Sequence, residues 1–117
     1  MNTEKIQQLI NNFVSERDWD KYHTPKNVAI ALSVEVSELL EIFQWMTDQE
    51  ISKIDKTSHK FNKIKDEFAD SMVYLLRFAD LLDIDIEQAV LDKLSKNIAK
   101  YPAEISKGNF VKYNERD

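Results

Sequence analysis

The feature that most constrains this chain is a pair of carboxylates set inside apolar sequence. Residues 34–45 read VEVSELLEIFQW, with Glu35 and Glu38 among the apolar side chains. In a helix, Glu35 and Glu38 lie on one face a single turn apart, and Leu39 and Ile42 fall on the same stripe. Burying an unpaired carboxylate is costly, and two adjacent carboxylates repel each other. This face is therefore either solvated or opposed by a cation.

The same pattern returns about thirty residues later, where Glu67 and Asp70 share a helical face with Tyr74 inside a second apolar stretch. Two such pairs predict a divalent-metal site, because Mg²⁺ prefers oxygen ligands. A ferritin-like iron or manganese site would need a Glu-x-x-His, which neither pair has. The alternative is that these are surface acids on amphipathic helices. In that case their partners would be Lys63, Lys65 or Arg77.

The fold class follows from the turn residues, since 1 Gly and 2 Pro in 117 residues are too few for an all-β fold. The chain is predicted to be a single all-α domain, a four-helix-type bundle over residues 1–117 in which 103–117 form a polar tail. Thr3 is expected to start the first helix, and Thr24 before Pro25 a second helix that runs to about Trp45 or Met46. A short connector helix is expected at residues 49–54, followed by a helix from Ser58 to Leu82. Asp85, with Gln88 in a capping box, is expected to start the last long helix, which ends at Tyr101 and Pro102.

The second and third long helices look apolar on more than one side. Leu32, Val36, Leu40 and Phe43 lie off the Glu35 stripe, and a helix that is apolar nearly all round must be covered on both sides. We therefore expect a homodimer at least. A net charge of −5 disfavours nucleic acid and anionic membranes as partners. The absence of cysteine and of any signal-like or membrane-spanning segment predicts a soluble, cytoplasmic protein.

Further candidates are aromatic and basic. Trp19 and His23 precede the second helix and Trp45 stands at its far end, where ring faces and a neutral imidazole suit a nucleobase. Lys93 and Asn97, one turn apart on the last long helix, suit a phosphate and a sugar or base. The alternatives are ordinary ones: a tryptophan in the core or rim, a loop histidine, and a solvated lysine face.

Over about residues 13 to 103, the ordered motifs resemble the all-α nucleotide pyrophosphohydrolases of the MazG-like superfamily, and within it the dCTP pyrophosphatase branch. The motifs that carry the resemblance are Arg17-Asp18-Trp19, His23-x-Pro25-x-Asn27, Ala31-Leu32-x-x-Glu35-Val36-x-Glu38-Leu39-x-Glu41-x-Phe43-Gln44-Trp45, Asp66-Glu67-x-x-Asp70 with Tyr74-Leu75, and Lys93-x-x-x-Asn97 before Tyr101-Pro102. The chain departs from that branch after Asn97, where consecutive arginines are replaced by Ile98 and Ala99.

The resemblance implies hydrolysis of a nucleoside triphosphate to the monophosphate and pyrophosphate, in a homodimer or homotetramer. The substrate implied is dCTP or a related or modified pyrimidine nucleotide, with a role in nucleotide pool sanitation or in pyrimidine balance. The same reaction on dUTP, dATP or a damaged nucleotide, and a non-catalytic dimeric interaction module, are the alternatives. By similarity, Mg²⁺ (or Mn²⁺) would be held by Glu35, Glu38, Glu67 and Asp70, with Glu35 or Glu38 accepting the proton of the attacking water. Lys93 and Asn97 would contact the phosphates and sugar, and Trp19, His23, Trp45 and Tyr74 would shape the base and sugar pocket.

Overall fold

A computed structural model describes residues 1–108 of the chain, and these residues are helical with no strand among them. The chain divides into two compact units, Met1–Asp83 and a second that begins at Ile84. In chain order the elements are α1 (Thr3–Glu16), a 3₁₀ turn (Asp20–Tyr22), α2 (Pro25–Phe43), α3 (Asp48–Ser52), α4 (His59–Leu81), α5 (Ile86–Lys100) and α6 (Ala103–Ser106). The all-α prediction is confirmed.

Most helix starts are where the capping residues predict them. The side chains of Thr24, Ser58 and Asp85 each accept a hydrogen bond from a backbone N–H in the first turn of their helix. At α1 the prediction was wrong, because the cap is Asn2, whose side chain accepts from the Lys5 backbone N–H. Helix α2 also ends earlier than predicted, at Phe43.

Two details of the connecting segments differ from the prediction. The short connector helix is set by a capping box in which Thr47 and Glu50 bond reciprocally, so it starts at Asp48. Of the box predicted at Asp85, the bond from the Gln88 backbone N–H to the Asp85 side chain is made, and the Gln88 side-chain amide donates to Asp92 at 2.8 Å. Within the expected polar tail, Ala103–Ser106 form a helical turn, and the rest of the tail from residue 109 on lies outside the described residues.

In the first unit, α4 packs against both α1 and α2. This packing brings the two predicted acid pairs onto neighbouring helices, since one pair lies on α2 and the other on α4. The small core where the three helices meet is formed by Ile10, Val14, Val28, Leu76 and Ala79.

Large apolar side chains remain on the outside of the helices. On α2, Ile30 is 53% exposed and Leu40 is 64% exposed, and on α5 Ile98 is 71% exposed. Exposed apolar side chains that form a continuous patch mark an interaction surface. The exposure of these residues agrees with the expected homo-oligomer, which stays a prediction. Among residues 1–108, no helix combines the length and the apolar character that a membrane crossing requires.

Candidate metal centre and adjoining cavities

Three carboxylates of the first unit converge where α2 and α4 face each other. Glu35, Glu38 and Glu67 each place a carboxylate oxygen so that the three atoms lie within 4.8 Å of one another. The side chains of Glu35 and Glu67 are half-buried and that of Glu38 is exposed. The Oε2 atoms of Glu35 and Glu67 are buried and have no hydrogen-bond partner in the described part of the chain. Because buried polar atoms are normally paired, two unpaired anionic oxygens side by side are the geometry a cation would complete.

The electrostatics of the cluster match this geometry. The pKa of Glu35 is raised from 4.5 to about 7, first because a proton on one carboxyl would form a hydrogen bond between Glu35 and Glu67. Burial is the next cause, followed by the negative charges of Glu38 and Asp70. Burial, with Glu35 and Asp70 nearby, also raises the pKa of Tyr74 above 10.0. The cluster therefore carries more negative potential than the unliganded protein readily accommodates.

The alternative interpretation, surface acids paired with basic side chains, does not fit the structure. Within residues 1–108, neither Lys63, Lys65 nor Arg77 forms an ion pair with any of the four predicted acids. Arg77 instead pairs with Asp20 at 3.1 Å, and the Lys65 ammonium lies 5.6 Å from the centre of the Phe61 ring.

Asp70 stands slightly apart from the three glutamates. It is exposed and lies outside the set of oxygens that meet within 4.8 Å. It shares with Glu35 the wall of a cavity of about 280 Å³. The sequence placed all four acids in one site, and the structure brings three of them together with the fourth at the edge. Their role as metal ligands stays a prediction.

The cavity beside Glu35 and Asp70 is mainly apolar and aromatic. Trp19, His23 and Tyr74, three of the four side chains predicted to shape a base and sugar pocket, line it together with Val73 and Arg77 of α4 and Ile10, Phe13 and Val14 of α1. Their role toward a base stays a prediction. Trp19 is 42% exposed and meets Phe13 edge to face, with ring centres 5.6 Å apart. A flat apolar ligand could therefore lie against Trp19 while its polar end reaches the carboxylates.

A second cavity, of about 460 Å³, adjoins the acid cluster and is polar. It is lined by Glu38 and Glu67 of the cluster, with Glu41, Ile42, Gln44 and Lys63. The acid cluster thus contributes walls to both cavities: Glu35 to the aromatic one, Glu38 and Glu67 to the polar one. An amphiphilic ligand with an aromatic head and a charged tail matches this division.

Comparison with known proteins assigns this chain to a family. The model of the MazG-like family matches residues 30–115, which contain both acid pairs. The chain belongs to the MazG-like family.

Named relatives are similar to this MazG-like chain over most of its length. It is 37% identical over 112 residues to dCTP pyrophosphatase 1 of Bos taurus and to that of Homo sapiens, with 96% of this chain and 66% of each relative covered. The chain thus spans somewhat less than two thirds of the length of these relatives. The crystal structure of a pyrophosphatase from Archaeoglobus fulgidus superposes with a TM-score of 0.79 at 40% identity, covering 87% of this chain and 94% of that one.

The remaining predicted residues of this MazG-like protein lie elsewhere. Trp45 follows the end of α2, is 86% exposed and lines neither of the two cavities. Lys93, which is exposed, and Asn97, which is half-buried, lie one turn apart on α5, in the second unit. Their contribution to a site stays a prediction.

Sequence reasoning missed the most heavily bonded residue of the aromatic cavity. Arg77 is 6% exposed and donates hydrogen bonds to Asn11, Asp20 and His23. From the sequence, Arg77 is named only as an alternative ion-pair partner of the two acid pairs. The signal that could have found it is an arginine inside the apolar run Leu75-Leu76-Arg77-Phe78, because a buried cation requires partners.

Proposed function

We propose that this protein is a Mg²⁺-dependent nucleoside triphosphate pyrophosphohydrolase, most suited to dCTP or a related or modified pyrimidine nucleotide. The observation that carries the proposal is the pair of buried, unpaired carboxylate oxygens of Glu35 and Glu67 between an aromatic and a polar cavity. The names of the relatives, dCTP pyrophosphatase 1 and a pyrophosphatase, support the reaction and the substrate class.

The donor set fits Mg²⁺ or Mn²⁺. Glu35, Glu38 and Glu67 offer clustered oxygens, and Asp70 is close enough to raise the pKa of Glu35 by its charge. Hard divalent cations take such oxygen ligands and keep open positions for water and phosphate. When bound, the ion would neutralise phosphate charge and make a bound water more acidic. Such a cation is required for a chain with a net charge of −5 to hold a triphosphate.

The chain's own residues would do the binding and the proton transfer. The base lies in the aromatic cavity against Trp19, with His23 and Tyr74 beside it, and the phosphates extend past the cluster into the polar cavity. Water attacks the α phosphorus, the bond from that phosphorus to the bridging oxygen breaks, and pyrophosphate leaves. A free carboxylate oxygen of Glu35 or Glu38 accepts the proton of the water. Catalysis is then mainly positioning and charge stabilisation.

The active form is proposed to be a homodimer or homotetramer. The exposed apolar side chains of α2, including Ile30 and Leu40, support burial against a second copy. In this assembly Lys93 and Asn97 would contact phosphate and sugar, and Trp45 would help to shape the base and sugar pocket. A cytoplasmic role in nucleotide pool sanitation accords with this activity.

The test is incubation of the purified protein with each dNTP and NTP, with Mg²⁺ and with EDTA, followed by ion-exchange separation of the products. Monophosphate and pyrophosphate that disappear in EDTA are expected, with dCTP among the best substrates. Glu67→Gln should abolish turnover, while the matched Asp66→Asn, an exposed acid one residue earlier, should retain it. Diphosphate with phosphate would overturn the cleavage site. No product from any nucleotide would favour the dimeric interaction module.

A further inference from the structure

Arg77 is the centre of a polar network that the catalytic proposal leaves unused. Its guanidinium donates through Nη1 to Asn11 Oδ1 at 2.6 Å, through Nη2 to Asp20 Oδ1 at 3.1 Å and through Nε to His23 Nδ1 at 3.3 Å. Asn11 lies on α1, Asp20 in the 3₁₀ turn, and His23 directly after that turn, two residues before α2 begins. Arg77 therefore links α4 to the segments that carry Asn11, Asp20 and His23, the last of which lines the aromatic cavity.

The partners of Arg77 are themselves held in place. The Asn11 amide donates to Asp80 Oδ2 at 2.8 Å, and the Ser15 hydroxyl donates to the second oxygen of Asp20 at 3.0 Å. Since the Asn11 amide nitrogen is occupied by Asp80, its carbonyl oxygen is the atom turned to Arg77. The bonds to Asn11 and Asp20 thus already fix the orientation of the guanidinium plane, independent of its bond to His23.

This network determines the state of the His23 ring. A guanidinium has donors only, so the hydrogen bond from Nε requires a lone pair on His23 Nδ1. Burial lowers the pKa of His23, the positive charge of Arg77 lowers it further, and Asp20 opposes them in part. The neutral ring then carries its single proton on Nε2, because Nδ1 is the acceptor.

We propose that Arg77 is a positioning residue that fixes His23 as an Nε2–H donor on the wall of the aromatic cavity. The site then favours a base that presents a hydrogen-bond acceptor at that place, such as the carbonyl oxygen of a pyrimidine. The identity of the ligand rests on the proposed function, whereas the state of the ring does not. An acceptor-selecting donor discriminates between ligands, since a ligand that presents a donor at this place leaves the Nε2–H of His23 unpaired in the complex.

The state of the ring can be measured without any substrate. The chain has 2 His, so long-range ¹H–¹⁵N correlation spectra of the labelled protein contain two imidazole patterns, and His59→Gln assigns them. The Nε2–H tautomer is expected for His23 at neutral pH in the wild-type protein. A proton on Nδ1, or a doubly protonated ring, would overturn the proposal. In Arg77→Lys, which keeps the charge but lacks the planar three-way donor, the His23 pattern is expected to shift toward that of a free imidazole, in which the Nε2–H and Nδ1–H tautomers exchange.

A matched pair of variants tests the same point through binding. The side-chain amide of His23→Gln can reach the place of Nε2, whereas that of His23→Asn reaches only the place of Nδ1. For the preferred nucleotide we expect KM to rise about tenfold in His23→Asn, by the loss of one hydrogen bond, and clearly less in His23→Gln, with kcat little changed in both. Equal KM values in the two variants would contradict the proposal.

The two proposals can fail separately. If the wild-type protein hydrolyses no nucleotide but shows the Nε2–H tautomer, the proposed function fails and the role of Arg77 toward His23 stands. If it hydrolyses dCTP with His23 protonated on Nδ1, the role of Arg77 fails and the proposed function stands. Arg77 variants that do not fold leave the wild-type spectrum and the His23 pair to decide.

Discussion

Replacing Glu67 by glutamine is expected to stabilise the metal-free protein while it removes one ligand of the proposed metal site. The variant eliminates the first cause of the raised pKa of Glu35 and one of the two buried, unpaired oxygens. It also supplies an amide N–H that can donate to Glu35 Oε2. A substitution that destroys function and increases stability is the signature of a site maintained for a ligand rather than for folding.

The magnitude follows from the pKa. Each pKa unit corresponds to about 1.4 kcal/mol, so the rise of Glu35 from 4.5 to about 7 amounts to about 3 kcal/mol for all its causes together. Glu67 is the first of five causes, and the half-exposed position allows solvent to screen the charges. We assign about 1 kcal/mol to the contact with Glu67. For a domain of this size that corresponds to a rise in Tm of about 5 °C.

The effect depends on pH with a defined sign. An acid whose pKa is higher in the folded than in the unfolded state is favoured in its protonated form by folding, so stability falls as pH rises between the two values. For Glu35 that interval runs from 4.5 to about 7. The difference in Tm between Glu67→Gln and wild type should be full at pH 8 and largely lost at pH 4.5.

The assay is thermal unfolding followed by circular dichroism in EDTA and in excess Mg²⁺, with Asp66→Asn as the matched control. In Mg²⁺ the wild type should gain stability by mass action, about 2.7 kcal/mol at a hundredfold excess over Kd, and Glu67→Gln should gain little. If Glu67→Gln in EDTA at pH 8 melts at or below the wild-type temperature, the interpretation of the acid cluster as an unfavourable contact is refuted.

Three further predictions concern other parts of the structure. Leu76→Ala, at a side chain 3% exposed, should lower the free energy of unfolding by about 2–4 kcal/mol in urea titrations; a loss below about 1 kcal/mol would show that this core is already loose. Thr24→Ala removes the cap of α2 and should cost about 1 kcal/mol, with Thr24→Asp as the variant that restores it. In Trp45→Phe, Trp19 is the single remaining tryptophan, and its fluorescence should change when nucleotide and Mg²⁺ are added. An unchanged spectrum would contradict the placement of Trp19 in the base pocket.

The helix starts were predictable because the capping interactions are local. Thr24, Ser58 and Asp85 each bond a backbone N–H three residues on, and such short-range signals can be read directly from the sequence. The end of α2 was less predictable, because Gln44 and Trp45 have no breaker beside them. Helical spacing likewise indicated that the acids on α2 would share a face, independent of what packs against it.

The arrangement between helices was not predictable in the same way. Which of the four acids meet depends on the rotation of α2 against α4, and that rotation places Asp70 at the edge of the cluster. In the network of Arg77, this residue lies 66 positions from its partner Asn11 and 57 positions from its partner Asp20. No local pattern encodes such pairs, so a sequence reading could at most have flagged Arg77 as a buried cation in need of partners.

The acid cluster is difficult to explain as a device of the fold. Glu35 and Glu67 face each other without a basic side chain between them, although Lys63 lies one turn before Glu67 on the same helix and lines the polar cavity. A lysine bonded to both carboxylates would relieve the repulsion, yet within residues 1–108 Lys63 makes no ion pair with either. The unpaired state of Glu35 and Glu67 therefore has a cost in the metal-free protein, and binding of the proposed divalent cation would offset that cost.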